Sequence, residues 1–331
     1  MEKRKVILDV DTGSDDAIAI MCALLSQELE VAAVCTVWGN TEVEYTTDNT
    51  LRVLTQMGMD IPVYAGASTA LVKYLSKERC VDGTCKAVID GKEVRIHDEH
   101  LKLPEAKYQK KSLPAPFFYL DYLAEATEPV DIIAVGPLTN LGIALSLNPD
   151  IVSGIHQMVI MGGGSMTANV TAAAEANIWH DPEAAEIVLE SGVNPVFVPL
   201  DATHEAVITK DEIAGLRENG NFCSRFAAEL LEQRMAVHNA IQPLHLKDSA
   251  TVHDALAVAC VVDGSLLRDV REESIRVCFS GAGEGHLVMD RREKREKANC
   301  RFAYSADREG FVRYLNRTLG CPENKSELRS V

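Results

Sequence analysis

The sequence predicts an α/β fold built on an open, mostly parallel sheet with helices on its faces, and three observations carry that expectation. Apolar runs of strand length alternate with longer helical patterns through the first two-thirds of the chain, which is the signature of βα units. Each apolar run ends in a polar or glycine-rich turn. The 331 residues, 47% of them hydrophobic, suffice for a substantial core, and with no linker or internal repeat the simplest reading is one domain over residues 1–331.

Core strands are expected at residues 5–10, 31–37, 131–135 and 157–161, with a fifth at 195–200. Helices are expected at 15–26, 43–57, 116–126, 138–148 and 182–191. The last has the clearest start: Asp181 can cap the free amides, Pro182 suits the first helical position, and Glu183 favours the positive end of the dipole. Residues 66–114 break the pattern, because 86–89 and 93–96 flank Asp90-Gly91, a hairpin signal; this segment is expected as an insertion at the mouth of a pocket. Beyond residue 263 shorter strands at 274–279, 286–289 and 300–304 and a closing helix at 307–319 suggest a small mixed extension, with the charged run 291–297 as a solvated turn. In such a Rossmann-like sheet, ligands bind outside the carboxyl ends of the strands, so the turns should converge on one crevice.

A formal net charge of −16 argues against a polymeric nucleic acid partner, whose phosphates need Lys and Arg to neutralise them. No apolar stretch is long enough to cross a bilayer, and the opening MEKRK is followed by no apolar signal region, so no membrane role is expected. Nine scattered cysteines form no paired framework, which fits a reducing cytoplasm.

The chemistry concentrates at the end of the first strand, in Asp9-Val10-Asp11-Thr12-Gly13-Ser14-Asp15-Asp16. Four carboxylates in eight residues repel one another unless a cation, protons or solvent relieve them. With oxygen donors and no Cys/His ligand pair nearby, calcium or magnesium is favoured over zinc. If the strand continues, Asp9 and Asp11 point to the same side, while Asp15 and Asp16 open the next helix. Asp254, which begins an apolar helical pattern after His253, is a candidate to complete a metal shell. After Met161 and three glycines come Asn169, Glu175 and Asn177, side chains suited to sugar hydroxyls.

Two other readings share part of this pattern. An apolar strand ending in Asp9-Val10-Asp11-Thr12-Gly13 also imitates a haloacid-dehalogenase-like magnesium phosphatase, with Asp9 as nucleophile and Asp11 as acid. A non-catalytic ribose- or nucleoside-binding protein would keep the pocket without turnover.

Taken together, DVDTGSDDA, WGN at residues 38–40, GPLTN at 136–140, MGGG with Asn169, Glu175 and Asn177, DPEAA at 181–185 and HDALA at 253–257 resemble the inosine-uridine-preferring nucleoside hydrolase family, in order and over most of the chain. The resemblance implies the nucleoside hydrolase fold and hydrolysis of a ribonucleoside to ribose and free base. It implies a calcium ion held by Asp11, Asp16, Asp254 and the backbone carbonyl of Val135, with Asp11 as general base for the attacking water. Asp15, Asn40, Asn169, Glu175 and Asn177 would bind the ribose hydroxyls, Met161 would line the sugar, and His253 is the candidate acid for the departing base. His97 would stand in the base pocket, in a segment reading Ile96-His97-Asp98-Glu99-His100-Leu101 where the family often has His-Gly. A homodimer or homotetramer is implied as well. Asp9 is left without a direct task and is expected to support its neighbours.

Overall fold

Alternation in the first strand organises the molecule. In β1 (Arg4–Val10), Val6, Leu8 and Val10 face one hydrophobic cluster and Ile7 the opposite one. The same odd-even split recurs at Ile133 and Val135 against Ile132 and Ala134, and at Val159 and Met161 against Met158 and Ile160. Each Val, Leu, Ile or Met among them contributes about 1.5–3 kcal/mol when fully buried, and a one-residue slip would send every one of them to the wrong face. The sheet therefore has two buried faces and a fixed register.

This architecture comes from a computed structural model that describes residues 3–76, 79, 86–89, 92–95 and 97–321. After β1 come α1 (Ser14–Leu25), β2 (Leu29–Thr36), α2 (Val43–Met57) and β3 (Val63–Ala65). A hairpin, β4 (Lys86–Ile89) and β5 (Lys92–Arg95), precedes α3 (Ala115–Glu125), β6 (Val130–Ala134), α4 (Thr139–Leu147) and β7 (Ile155–Met161). The chain continues through α5 (Ala176–His180), α6 (Pro182–Glu190), β8 (Val196–Val198), α7 (Leu200–Thr203), β9 (Ile208–Thr209), α8 (Lys210–Glu218), α9 (Phe222–Ile241), β10 (Ser249–Ala250) and α10 (His253–Val262). It closes with β11 (Leu267–Glu273), β12 (Ile275–Val277), β13 (Leu287–Met289), β14 (Cys300–Ala306) and α11 (Arg308–Leu319).

The central sheet has eight strands in the order β11-β14-β8-β7-β6-β1-β2-β3, all parallel except β11, which runs antiparallel to β14. Successive strands run outward from β1 through β2 and β3, then restart on its other side at β6. The β1/β6 boundary is thus the switch point, where the loops after neighbouring strands part and leave a crevice. Val135 donates its N–H to the Asp9 carbonyl at 2.8 Å, which sets the turn after β6 beside the turn after β1.

Several elements differ from the sequence expectation. The C-terminal strands are no separate extension: β14 pairs in parallel with β8, and only β12 and β13 form a ladder of their own. The antiparallel edge β11 was not anticipated, because five of its seven residues are exposed and show little apolar alternation. Neither were β3, too short to signal itself, nor α8 and α9. The hairpin is present with Lys86 opposite Arg95 and Ile89 opposite Lys92, one residue earlier in its second strand than expected; its turn at residues 90 and 91 lies outside the described residues. At α6, Asp181 Oδ1 accepts from the Ala184 N–H at 3.1 Å, the anticipated cap. Among the described residues no helix is long and apolar enough to cross a membrane.

Candidate active site

At the carboxyl end of β1 the strand stops at Val10, and the chain turns so that carboxylates gather over the edge of the sheet. Asp16, in the first turn of α1, folds back to accept from the Asp11 N–H at 3.1 Å and the Gly13 N–H at 2.9 Å. Asn40, from the turn after β2, donates its backbone N–H to Asp11 Oδ2 at 2.7 Å, and its side-chain amide to the Asp11 carbonyl and Asp16 Oδ2, both at 3.1 Å. The neighbouring Gly39 has no side chain for a steric reason, since a Cβ there would be driven into the Asp11 carboxylate. Asp254 enters from the first turn of α10, and carboxylate oxygens of Asp15, Asp16 and Asp254 lie within 4.8 Å of one another.

These acids are buried together at an electrostatic cost. Burial first, and the Asp16 charge second, push Asp11 well above the usual carboxylate range. Burial, with Asp15 next, raises Asp16 to about 7, and Asp254 is driven well up by burial and then by Asp15, Asp16 and Asp11. A divalent cation would remove that cost. The donors are all oxygen, buried and mutually repelling, with the Val135 carbonyl in the same wall, which fits a hard ion such as calcium or magnesium. Asp15, expected on the ribose, thus stands as close to Asp16 and Asp254 as a ligand would, while Asp11 touches the cluster through Asp16.

A partly open crevice lies over these acids. Asp11, Asp15, Asn40, His97, Val135, Met161, Asn169, Glu175, Asn177, His253 and Asp254 all line it, so eleven of the residues singled out in the sequence converge; Asp16 lies beneath them, fully buried. Asn177 spans two strand ends, donating its side-chain amide to the carbonyls of Val135 at 2.8 Å and Met161 at 3.1 Å. Glu175 caps α5, accepting from the N–H groups of Gly163, Asn177 and Ile178; burial nevertheless raises its carboxyl to about 7. Asn169 Oδ1 accepts from the Ala176 N–H at 2.9 Å.

His253, the expected acid, sits in the crevice wall between two threonines. Its Nδ1 pairs with Thr203 Oγ1 at 2.7 Å and its Nε2 with Thr251 Oγ1 at 2.9 Å, and burial holds the imidazole well below its ordinary pKa. Both ring nitrogens thus have a hydroxyl partner. Sequence reasoning also missed α9, which brings Arg234, Val237 and His238 into the lining. The signal was present in FAAELLEQRMAV, whose apolar residues Phe226, Leu230 and Val237 recur at helical spacing.

Asp9 separates from Asp11. Both have the same parity, but β1 ends between them, so Asp9 stays in the sheet beneath α3 and α4 while Asp11 leaves the pleat. Asp9 Oδ2 accepts from Tyr119 Oη at 2.9 Å and Asn140 Nδ2 at 3.1 Å, its Oδ1 is buried with no partner, and burial raises the carboxyl to about 7. It does not line the crevice, so a phosphatase with Asp9 as nucleophile is not favoured. Because its folded pKa lies above the unfolded value of 3.8, Asp9 ionisation weakens the fold as pH rises from about 4 through 7. Asp9→Asn is expected to flatten the fall in Tm over that window while keeping activity; thermal melts at several pH values check the first part, and loss of turnover would put Asp9 back in the chemistry.

A crevice at the switch point of a parallel sheet, floored by clustered carboxylates and walled by amides and a carboxylate suited to hydroxyls, defines a metal-assisted hydrolase for a small polyhydroxylated substrate. The family model for inosine-uridine preferring nucleoside hydrolase matches residues 6–313, and the chain belongs to that family. It is similar to the pyrimidine-specific ribonucleoside hydrolase RihA of Photobacterium profundum, 35% identical over 324 residues, covering 96% of this chain and 98% of that one. The RihA of Escherichia coli O8 is 36% identical over 319 residues, covering 94% and 96%. Among solved structures, a plant nucleoside hydrolase superposes with a TM-score of 0.84 at 29% identity, covering 97% of this chain and all of that one. A purine-preferring ribonucleoside hydrolase from Gardnerella vaginalis gives 0.83 at 28%, covering 96% and 98%. The chain is accordingly an N-ribohydrolase, splitting ribonucleosides into ribose and free base, and a non-catalytic binding role is not favoured.

Proposed function

We propose that the crevice holds one calcium ion between Asp11, Asp16, Asp254 and the Val135 carbonyl, and that Asp11 is the general base of the hydrolysis. The observation that carries this reading is the convergence of buried, mutually repelling carboxylates under a pocket also lined by Asn169, Glu175 and Asn177. When bound, the cation supplies charge that makes a nearby water more acidic and offsets the repulsion among the acids.

The residues then divide the work. Asp11 takes a proton from the attacking water, whose oxygen bonds to C1′ of the ribose as the C1′–N bond breaks and its electron pair leaves with the base. Asp15, Asn169, Glu175 and Asn177 hold the hydroxyls and Met161 packs against the sugar, so that binding energy remote from the broken bond keeps the ring in a reactive geometry. Asn40 acts chiefly on the acids, since its side-chain amide is engaged by Asp11 and Asp16. His97 belongs to the base end. The role of Asp15 is to bridge the ion's neighbourhood and the sugar.

Residues 66–114 serve as an insertion at the mouth of this one-domain enzyme. A homodimer or homotetramer working in nucleoside salvage in a reducing cytoplasm completes the reading, supported by nine cysteines scattered without a paired framework. The named relatives differ in base, one pyrimidine-specific and one purine-preferring, so the test is a panel. Reducing-sugar release from uridine, cytidine, inosine, guanosine, adenosine and nicotinamide riboside is expected for at least one of them with calcium present. Silence across the panel would refute the reading.

A further inference from the structure

α9 places one permanent cation in the crevice. Arg234 is the single Lys or Arg among the described residues lining it, and its side chain is 12% exposed. A guanidinium carries five N–H donors and no acceptor. The protein satisfies few of them. Nε is buried with no hydrogen-bond partner. Nη2 stands 3.9 Å from Asp15 Oδ2, an ion pair too long to be a hydrogen bond.

Nη1 approaches His97 Nε2 at 3.4 Å, but that nitrogen is in conflict. His97 Nδ1 accepts from the Ser14 N–H, also at 3.4 Å, and a neutral imidazole has a single acceptor nitrogen. If Nδ1 accepts, Nε2 carries the proton and Arg234 faces a donor. At least one donor at this end of the crevice is therefore left over whichever tautomer forms. Unsatisfied donors on a buried cation are costly unless something else supplies acceptors.

The sugar end already has its polar groups in Asp15, Asn169, Glu175 and Asn177. Arg234 lines the crevice on α9 with Val237 and His238, between His97 and Asp15, and ribose seated on the other polar groups as proposed above leaves this side for the base. Resting on the hydrolase reading above, we propose that Arg234 is the leaving-group residue: its guanidinium donates to an oxygen acceptor on the nucleobase and holds the negative charge that the base takes on as the C1′–N bond breaks. The electron pair of that bond passes into the base, the water's oxygen goes to C1′, one water proton goes to Asp11, and the base collects its proton afterwards from solvent. No protonated histidine is needed. The favoured substrates are ribosides whose base departs as an anion with an oxo or carboxylate oxygen facing the guanidinium.

The test compares the best nucleoside of the panel with 4-nitrophenyl riboside, whose leaving group is acidic enough to depart with little help. Arg234→Met is expected to lower kcat/KM on the nucleoside by about 100-fold, chiefly in kcat, and on the aryl riboside by no more than about 5-fold. Arg234→Lys keeps the charge but lacks Nε and the planar fork; it should shift the same ratio by about 10-fold and carries the test if the methionine variant fails to fold. Equal losses on both substrates would overturn the proposal and leave Arg234 a partner of Asp15 alone. A wild type that cleaves the aryl riboside but no nucleoside would overturn it too. A wild type inactive on both would instead defeat the hydrolase reading on which it rests.

Discussion

Asp11→Ala is expected to lower kcat on any accepted nucleoside by at least about 10³-fold, within the range a general base contributes, without loss of the fold. Asp11 lines the crevice, its carboxylate is fixed by the Asn40 N–H, and it sits against Asp16. Its removal takes one repelling carboxylate from a buried cluster, so Tm in the absence of metal should hold or rise. Steady-state kinetics by reducing-sugar release, paired with a thermal melt, separates the two effects. Full activity in the variant would remove Asp11 from the chemistry.

Stripping divalent ions with a chelator is expected to abolish turnover, and calcium should restore it. The physical reason is the crowding of buried carboxylates: Asp11 is pushed upward by burial and then Asp16, Asp16 by burial and then Asp15, and Asp254 by burial and then Asp15, Asp16 and Asp11, a repulsion that a cation offsets. Binding to the folded state alone should also raise stability, by about 2.7 kcal/mol at a calcium concentration 100 times Kd. Asp254→Ala, which removes the acid brought by α10, should lose both calcium-dependent activity and the calcium-dependent rise in Tm. Unchanged turnover after chelation would contradict a metal-assisted site.

Much of this site was legible because local sequence carried it. DVDTGSDD encodes a strand end and a helix start at once, and Asp16 returning to the Asp11 and Gly13 amides is a short-range event. Asn169, Glu175 and Asn177 follow one another closely in the loop after β7 and the first turn of α5. The divergence of Asp9 from Asp11 was not legible, since it depends on β1 ending at Val10, which parity alone does not tell. Nor was the tying of His253 by Thr203, fifty residues away, because no local pattern announces a long-range hydroxyl partner. Arg234 went unnoticed for a different reason: in sequence it is one charged residue on an amphipathic helix, and only the packing of α9 beside α1 turns it into the crevice. The C-terminal strands were recognised individually, but their membership of the main sheet rests on β14 pairing with β8 across about a hundred residues.

The carboxylates at the end of β1 and the start of α10 are proposed to act as one cation-holding centre. Calcium titration calorimetry on chelator-stripped wild type and Asp16→Ala tests it most directly. One calcium per chain is expected in the wild type and none in the variant; a variant that binds calcium as tightly as the wild type, or a wild type that binds none, would rule out such a centre.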